Sequence, residues 1–445
     1  MKLQRLFYFS AGLILTGSPA WAQTTREEVL SDLNRTGGIY YAYPVTESHN
    51  TPAPKGYKPF YISHYGRHGS RYLISDNDYR RVADLLHKAD KAGALTELGK
   101  DVMQRVDSLM IETDMRGGDL SPLGVRQHKA IADRMFKAYP EVFAGDKDIS
   151  ARSTLVVRCV LSMDAFCESL KEKNPRLNIT RESSQRNMGY LCYHSDESNA
   201  WRDDKSNYKE EYRKFEESHT NPDRLVASIF SDKEFVTKNV NPHNFMWDMY
   251  WITSGMQDTE TNLSFYDVMT PEELFDLWQC FNYRFYASDG NYAGSNGLIT
   301  ANAKPLIRNI IASADLAIED ATEGKIKPEN PIPSELSGNV QAEAATLRFG
   351  HDGNLIPLVA QMQIEGTDLQ ESDPEKFYTA FADWKIAPMA GNMQMVFFRD
   401  PKHPEKEVLV KVMLNEEEKA LPIETDSFPF YPWSKVRAHL ESRTR

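Results

Sequence analysis

The chain has 445 residues, a formal net charge of -12 and four cysteines. Its length exceeds the usual ~100–200 residues of a single domain, so we expect one large domain with an insertion, or two domains. The acidic balance argues against nucleic acid or an anionic membrane as the main partner, because both require a basic surface. Four cysteines in so long a chain exclude a scaffold built on disulfides. A small basic pocket is still compatible with these values.

Residues 1–22 have the pattern of a secretory signal peptide. Lys2 and Arg5 form the charged start, residues 6–17 supply an apolar run, and the cleavage pattern AWA ends at Ala22. The alternative is a membrane anchor, but the apolar run is shorter than the ~20 residues that span a bilayer. We therefore predict an exported protein, periplasmic or secreted, that is not inserted in a membrane after cleavage.

Strand and helix patterns follow one another along the chain. Short aromatic and β-branched runs predict strands at 58–64, 147–151, 345–349, 393–398 and 407–413. Apolar residues repeated with helical period, together with capping and breaking residues, predict helices at 25–33, 78–92, 96–113, 122–139, 156–170, 271–285 and 305–318. Tryptophans and helical patterns are concentrated between residues 182 and 319. We interpret 182–319 as a mainly helical cap inserted into an α/β core formed by 23–181 and 320–445.

Three polar clusters each follow a predicted strand. They lie at 67–71 (RHGSR), 152–158 (RSTLVVR) and 351–352 (HD). In open α/β sheets, ligands bind beyond the carboxyl ends of the strands. We therefore expect these sequence-distant clusters to converge on one site.

The first cluster places His68 between Arg67 and Arg71 on a glycine-bearing loop. Guanidinium groups bind tetrahedral oxyanions through forked hydrogen bonds. A histidine held against a bound phosphate can act as a nucleophile, because its imidazole takes up a phosphoryl group and later releases it to water. The alternative is a surface loop with solvated arginines and a buried structural histidine.

The pair His351-Asp352 offers an acid beside a further phosphate ligand. Displacing an alkoxide from a phosphate ester is difficult unless the leaving oxygen is protonated. Asp352 can supply that proton if its surroundings raise its pKa above the reference value of ~3.9. The alternative is a helix cap or a surface turn.

Five motifs, in this order, resemble those of the histidine acid phosphatases, a branch of the histidine phosphatase superfamily. They are RHGSR at 67–71, LSPLG…Q at 120–127, RST…R at 152–158, GHDGNL at 350–355 and APMAGN at 387–392. The resemblance implies a three-layer α/β sandwich core, like that of phosphoglycerate mutase, with an inserted helical cap. It also implies a small phosphorylated substrate and neither a metal nor an organic cofactor.

The resemblance also implies roles for individual residues. His68 would be the nucleophile that forms a phosphohistidine, and Asp352 would protonate the leaving oxygen and then activate water. The transferring phosphate would be bound by Arg67, Arg71, Arg158 and His351.

Within the family the details point to two groups. The segment 158–166 and Tyr72 are similar to multiple inositol polyphosphate phosphatases, which usually carry HAE where this chain has HDG at 351–353. The HD form is more like bacterial and fungal phytases and general acid phosphatases. Leu73 replaces the proline that normally ends the first motif, and Val157 stands where an acidic residue is usual.

We therefore predict an exported phosphomonoesterase that hydrolyses inositol polyphosphates such as phytate. One alternative is a broad-specificity acid phosphatase acting on sugar phosphates. Others are a non-catalytic protein that binds phosphorylated ligands, a metal-dependent hydrolase and an enzyme like phosphoglycerate mutase. Oligomeric state is not indicated by the sequence.

Further basic residues open the predicted cap. Arg181, Arg186 and Lys205 are candidate contacts for a polyphosphorylated substrate, with solvated surface charge as the alternative. His64 and His68 are four residues apart, a spacing that ligates zinc on a helix, but a predicted strand precedes them and Gly66 lies between them. We therefore do not predict a metal site. Cys159 and Cys167, ~12 Å apart on one predicted helix, are too distant to form a disulfide.

Overall fold

The computed structural model describes residues 24–44, 50–204 and 206–445. In these residues, eight strands form one mixed sheet. The strands are β1 (Lys58–Arg67), β2 (Asp148–Ser153), β3 (Asn178–Ser183), β4 (Ala345–Gly350), β5 (Asn392–Arg399), β6 (Leu409–Leu414), β7 (Glu417–Glu418) and β8 (Phe430–Pro432). The predicted signal peptide, 1–22, lies outside the described residues.

The sheet has a parallel half and an antiparallel half. Its order is β3-β2-β4-β1-β5-β6-β7, and β8 also pairs with β6. The first four strands in this order are mutually parallel, whereas β5 to β8 pair in antiparallel fashion. The carboxyl ends of β2, β4 and β1 therefore meet at one edge of the sheet, where the three polar clusters begin.

Eighteen α-helices are found in the described residues. In the first half they are α1 (Arg26–Leu30), α2 (Asp76–Lys91), α3 (Glu97–Thr113), α4 (Pro122–Ala138), α5 (Val157–Lys173), α6 (Met188–Leu191), α7 (Asp196–Asp203), α8 (Lys209–His219) and α9 (Asp223–Ile229). In the second half they are α10 (Lys233–Asn239), α11 (Pro242–Gly255), α12 (Pro271–Asp289), α13 (Lys304–Ala321), α14 (Ser334–Ser337), α15 (Asp352–Gln361), α16 (Phe377–Ala380), α17 (Asp383–Ile386) and α18 (Trp433–Ser442). None of the helices in the described ranges is long and apolar enough to cross a membrane.

Helices cover both faces of the sheet. On one face α4 and α5 pack on Ile62 of β1 and on alternate residues of β4. On the other face α13, α15 and α18 pack on Tyr61 and Tyr65 of β1 and on alternate residues of β5. Because successive side chains of a strand point to opposite faces, one aromatic-rich strand supplies both apolar layers. The predicted α/β sandwich is confirmed.

A second apolar cluster lies mainly among helices. The helices α2, α3, α9, α11 and α12 enclose it, and their apolar residues recur with helical period. The predicted insertion 182–319 contributes α9, α11 and α12, but it also includes most of α13, which packs directly against β1. The exact division into core and cap stays a prediction.

Several predicted elements are found within two or three residues of their expected ends. The helix α2 begins at Asp76 because the Ser75 side chain caps it, and α4 begins after the predicted cap Ser121. The edge strand β3 was not predicted, because its sequence NITRES has little apolar alternation and is largely exposed. All four cysteines are free thiols.

Candidate active site

Backbone hydrogen bonds bring the polar clusters together beyond the strand ends. The N–H of His68 donates to the carbonyl of Gly350 at 3.0 Å, and that of Thr154 donates to the carbonyl of Phe349 at 3.0 Å. The N–H of Ala390 donates to the carbonyl of His68 at 2.9 Å. Each cluster is thus anchored to another by main-chain hydrogen bonds. This agrees with the prediction made from the positions of the clusters directly after strands.

Two glycines explain why the RHG and LSPLG motifs occur together. A Cβ atom on Gly69 would lie 2.5 Å from the carbonyl oxygen of Gly124, and one on Gly124 would lie 2.3 Å from that of Ser70. Gln127 completes the contact, because its side-chain oxygen accepts from the Ser70 N–H and its amide donates to the Ser70 hydroxyl, both at 2.8 Å. The loop around His68 is therefore seated against the start of α4.

His68 presents a free ring nitrogen to the cavity. Its Nδ1 lies 2.9 Å from the carbonyl oxygen of Gly69, a partner that only an N–H can satisfy. This contact assigns the proton to Nδ1 and leaves a lone pair on Nε2. Burial, together with the charges of Arg67 and Arg71, lowers the pKa of His68 well below its usual value, so the ring is neutral.

Arg67 is fully buried and fixed at both ends of its guanidinium group. Its Nη1 donates to the carbonyl of Ala387 at 2.8 Å, and its Nη2 pairs with Oδ2 of Asp352 at 2.8 Å. Arg71 stacks over the Tyr40 ring, with Cζ 4.8 Å from the centroid. Such fixed guanidinium groups are preorganised for an oxyanion.

Arg158, in the first turn of α5, lacks any partner among the described residues. It forms neither a hydrogen bond nor an ion pair, and its Nε is buried without an acceptor. Burial and the neighbouring charge of Arg71 lower its pKa below the usual value. An uncompensated buried cation is costly unless an anion joins it, so this position favours a negatively charged ligand.

Asp352 is an ionised carboxylate in the ligand-free site. Burial by itself would raise its pKa, but the charge of Arg67, together with the hydrogen bond from the Gly353 N–H, brings it below the usual value. Its Oδ1 accepts from the Gly353 N–H at 2.8 Å. The raised pKa that the sequence argument required is therefore not met before a ligand binds.

His351, which precedes Asp352 in the chain, lies close to the segments that follow β1 and β2. Its Nε2 is 3.2 Å from Oγ1 of Thr154, and its ring centroid is 5.7 Å from that of His68. Burial lowers its pKa to about 4, so it is neutral and can donate one N–H to an oxyanion.

The His68 cavity has a volume of about 350 Å³, within the range of small-molecule sites. One side of it is formed by the apolar Leu73 and by five of the six predicted site residues, namely His68, Arg71, Arg158, His351 and Asp352. The sixth, Arg67, is fully buried and is not among the lining residues. The opposite side is formed by helices, and its lining residues are Asp78, Arg81, Trp251, Phe281, Arg284 and Phe285. The cavity is thus polar on one wall and aromatic, with two cations, on the other.

The chain matches the sequence model of a known protein family over residues 66–415, which is most of its length. That family is the histidine phosphatase superfamily, branch 2. The chain belongs to it. Membership in this family of histidine phosphatases supports phosphatase activity. No curated protein matches the chain significantly.

Several solved structures share the fold of this chain. A multiple inositol polyphosphate phosphatase of Bifidobacterium longum, in complex with inositol hexasulfate, has a TM-score of 0.71 at 16% identity, covering 91% of this chain and 97% of its own. The same enzyme in complex with phosphate has a TM-score of 0.66 at 17% identity, covering 92% and 98%. A phytase from D. castellii has a TM-score of 0.58 at 15% identity, covering 93% and 85%.

Two of the predicted cap contacts of this histidine phosphatase do not reach the cavity. Arg181 pairs with Asp164 at 2.7 Å, and Arg186 pairs with Glu182 at 2.6 Å, both beside the edge strand β3. Their charges are satisfied at the surface, and neither residue is among those that line the cavity. The third, Lys205, lies outside the described residues.

Sequence reasoning missed Arg81 and Arg284. Arg81 is already compensated, since it pairs with Asp248 at 2.7 Å and Asp78 at 3.2 Å. Arg284 forms no ion pair or hydrogen bond within the described ranges; its Cζ lies 5.2 Å from the Phe281 ring centroid. The only signal available was a helix with an arginine between aromatic residues, which does not reveal where the helix docks.

His64 does not join His68 in a metal site. Its ring packs 5.1 Å from that of Phe166 and 5.3 Å from that of Phe349, in the layer between the sheet and α5. Burial lowers its pKa to about 3. In the described residues, no group of three or more histidine, cysteine, aspartate or glutamate side chains is arranged to hold a metal ion.

Proposed function

We propose that this histidine phosphatase is an exported phosphomonoesterase that works through a phosphohistidine on His68 and acts on inositol polyphosphates such as phytate. The observation that carries the proposal is the convergence of a neutral His68, with Nε2 free, with Arg71 and Arg158 in one cavity. The buried Arg67 lies behind it and is paired with the cavity-lining Asp352. Nucleophile and phosphate ligands lie on a frame held by backbone hydrogen bonds. This arrangement suits phosphoryl transfer, in which catalysis consists mainly of positioning and charge stabilisation.

In the first step the Nε2 lone pair of His68 attacks phosphorus, and the bond from phosphorus to the leaving oxygen breaks. The arginines stabilise the charge on the transferring oxygens. A bound phosphate shares the positive charge of Arg67, which now pairs with Asp352 at 2.8 Å. The pKa of Asp352 therefore rises on substrate binding, so that it takes up a proton and donates it to the leaving oxygen.

In the second step Asp352, now a carboxylate, accepts a proton from water. The water oxygen attacks phosphorus, the bond to Nε2 breaks, and inorganic phosphate forms. The neutral imidazole is regenerated with its Nδ1 proton still bonded to the Gly69 carbonyl. The same residue thus acts first as acid and then as base.

The preference for polyphosphates rests on Arg158 and Arg284. Neither cation has an anionic partner among the described residues, and both face the cavity. A substrate with several phosphate groups can engage Arg284 while another of its phosphates lies at His68. The Bifidobacterium longum enzyme, which shares the fold, was solved with inositol hexasulfate.

A second candidate is a broad-specificity phosphatase acting on sugar phosphates. The aromatic residues Trp251, Phe281 and Phe285 favour it, because they offer apolar faces on which a sugar ring can stack. Initial rates on phytate, glucose phosphate and p-nitrophenyl phosphate decide between the two. Comparable kcat/KM values on all three would contradict the preference for inositol polyphosphates.

The covalent step is tested by rapid acid-free quenching during turnover of radiolabelled substrate. We expect base-stable, acid-labile label on the wild-type protein and none on His68→Ala. Label on another residue would overturn the mechanism. Export is tested separately, by fractionating cells that express the full chain and sequencing the N-terminus of the mature protein, which should begin at Gln23.

A further inference from the structure

A buried carboxyl group lies behind the arginines and has no part in the mechanism above. Asp258 ends a short 3-10 segment, Met256–Asp258, that follows α11. Its side chain is 0% exposed, and neither carboxyl oxygen has a hydrogen-bond partner of normal geometry among the described residues. An unpaired buried carboxylate is strongly unfavourable, so the surroundings of Asp258 favour the neutral carboxyl group.

The charged and titratable groups around Asp258 come from three sides. Arg67 and Arg71 face it from the loop that carries His68, Tyr79 from α2, and Tyr266 from the segment before α12. Burial raises the pKa of both tyrosines well above the usual value, so neither contributes a charge near neutral pH.

The hydroxyl of Ser70 is one of the polar groups that act on Asp258, and it favours the ionised carboxyl group by lowering its pKa. Gln127 donates to that hydroxyl at 2.8 Å, so the hydroxyl proton is free to point at the carboxyl group. Ser70 lies between His68 and Arg71 in the chain. Asp258 is therefore coupled directly to the loop that carries the nucleophile.

We propose that Asp258 is a positioning residue that controls the charge of the phosphate site. As a neutral carboxyl group it leaves Arg67 and Arg71 available to the substrate phosphate. As a carboxylate it competes with that phosphate for the same guanidinium groups. The proposal rests on the anion site described above but not on turnover.

The two forms of Asp258 interchange in an accessible pH range. Burial raises its pKa to about 8, although the Ser70 hydroxyl and the two arginines act in the opposite direction. Below that pH the carboxyl group is neutral. Binding of an anion and protonation of Asp258 then favour each other, because linkage between two sites is reciprocal.

Sulfate is the appropriate probe, because its charge does not change in this range. We would measure its Kd by titration calorimetry from about pH 6 to about pH 10, with wild type and Asp258→Asn. Above about pH 8 we expect the affinity of the wild type for sulfate to fall about tenfold per pH unit. This slope is expected when binding of one sulfate requires uptake of one proton. The isosteric Asp258→Asn should show no such fall. Glu260→Gln, which removes an exposed carboxylate two residues away, should keep it.

A second measurement does not depend on the folding of a variant. Calorimetry of the wild type near pH 9, in buffers of different ionisation enthalpy, should show uptake of about one proton per sulfate bound. Absence of uptake, or an equal fall in Asp258→Asn and wild type, would overturn the inference. Sulfate binding without phosphatase turnover would contradict only the proposed function, whereas failure of wild type to bind sulfate at any pH would refute the anion site and this inference together.

Discussion

The two walls of the His68 cavity are built in different ways. The sheet wall carries His68, Arg158 and His351 on segments that leave adjacent parallel strands, and backbone hydrogen bonds join those segments. The helical wall carries Arg284 and Trp251 on α12 and α11, held by packing between rings. Positions that must be accurate to fractions of an ångström for chemistry lie on the first wall. The second wall is free to vary with the substrate.

The walls also differ in how their charges are compensated. Behind the sheet wall Arg67 is fully buried and paired with the cavity-lining Asp352 at 2.8 Å. On the helical wall Arg284 is exposed and rests on Phe281, with Cζ 5.2 Å from the ring centroid. From this contrast we propose that the sheet wall determines the rate and the helical wall determines the choice of substrate. The following experiments test that division, from the largest expected effect to the smallest.

Removing the nucleophile should have the largest effect. We expect His68→Ala to lower kcat by at least about 10³-fold on every phosphate ester, because the variant loses the imidazole nitrogen that attacks phosphorus. Steady-state kinetics on phytate and p-nitrophenyl phosphate measure the loss, and circular dichroism checks the fold. His87→Ala, on an exposed histidine of α2, is the matched control. Ordinary turnover by His68→Ala would contradict the assignment of the sheet wall.

Removing the acid should distinguish substrates by their leaving groups. We expect Asp352→Asn to lower kcat on phytate by about 10²–10⁴-fold, since an alkoxide needs a proton in order to leave. The loss on p-nitrophenyl phosphate should be smaller, because nitrophenolate is a good leaving group. The ratio of the two kcat values is the measurement, and equal losses on both substrates would argue against proton donation by Asp352.

Moving the sheet wall without removing a catalytic group should also be costly. A Cβ on Gly124 would lie 2.3 Å from the Ser70 carbonyl oxygen, so Gly124→Ala must displace the loop that carries His68. A shift of this kind lowers kcat by about 10²-fold. Gly189→Ala is the matched control, because a Cβ there has no neighbour within 4 Å. Wild-type kcat in Gly124→Ala, with an unchanged melting temperature, would show that the seating of the loop is not required.

The sheet wall was predictable from sequence because its geometry is local. Each of its residues follows a strand by a few positions, and parallel strand ends meet at one edge. The close approach of Gly69 and Gly124 further explains why two separate motifs carry a glycine. The α/β class and the gathering of His68, Arg158 and Asp352 therefore followed from strand positions and motif order.

The helical wall was not predictable because tertiary packing determines it. Arg284 and Arg186 are both arginines in the predicted cap, and nothing in their neighbouring sequence shows that the first lines the cavity and the second pairs with Glu182. Asp258 illustrates the same limit. An aspartate in a polar sequence segment is normally exposed, whereas here its side chain is 0% exposed behind the catalytic loop.

The smallest expected effect tests the helical wall. Arg284→Ala should raise KM for phytate by about 3–10-fold, with little change in kcat. This increase corresponds to the loss of an exposed charge contact worth ~1 kcal/mol. The effect on KM for p-nitrophenyl phosphate should be smaller, because a single phosphate at His68 leaves Arg284 without a second anion to contact. Arg284→Lys should recover part of the phytate affinity, and Arg213→Ala, which removes an exposed arginine of α8 paired with Glu217, is the control. Equal changes in KM for both substrates would mean that this wall does not recognise additional phosphates and that the preference for polyphosphates must come from the sheet wall.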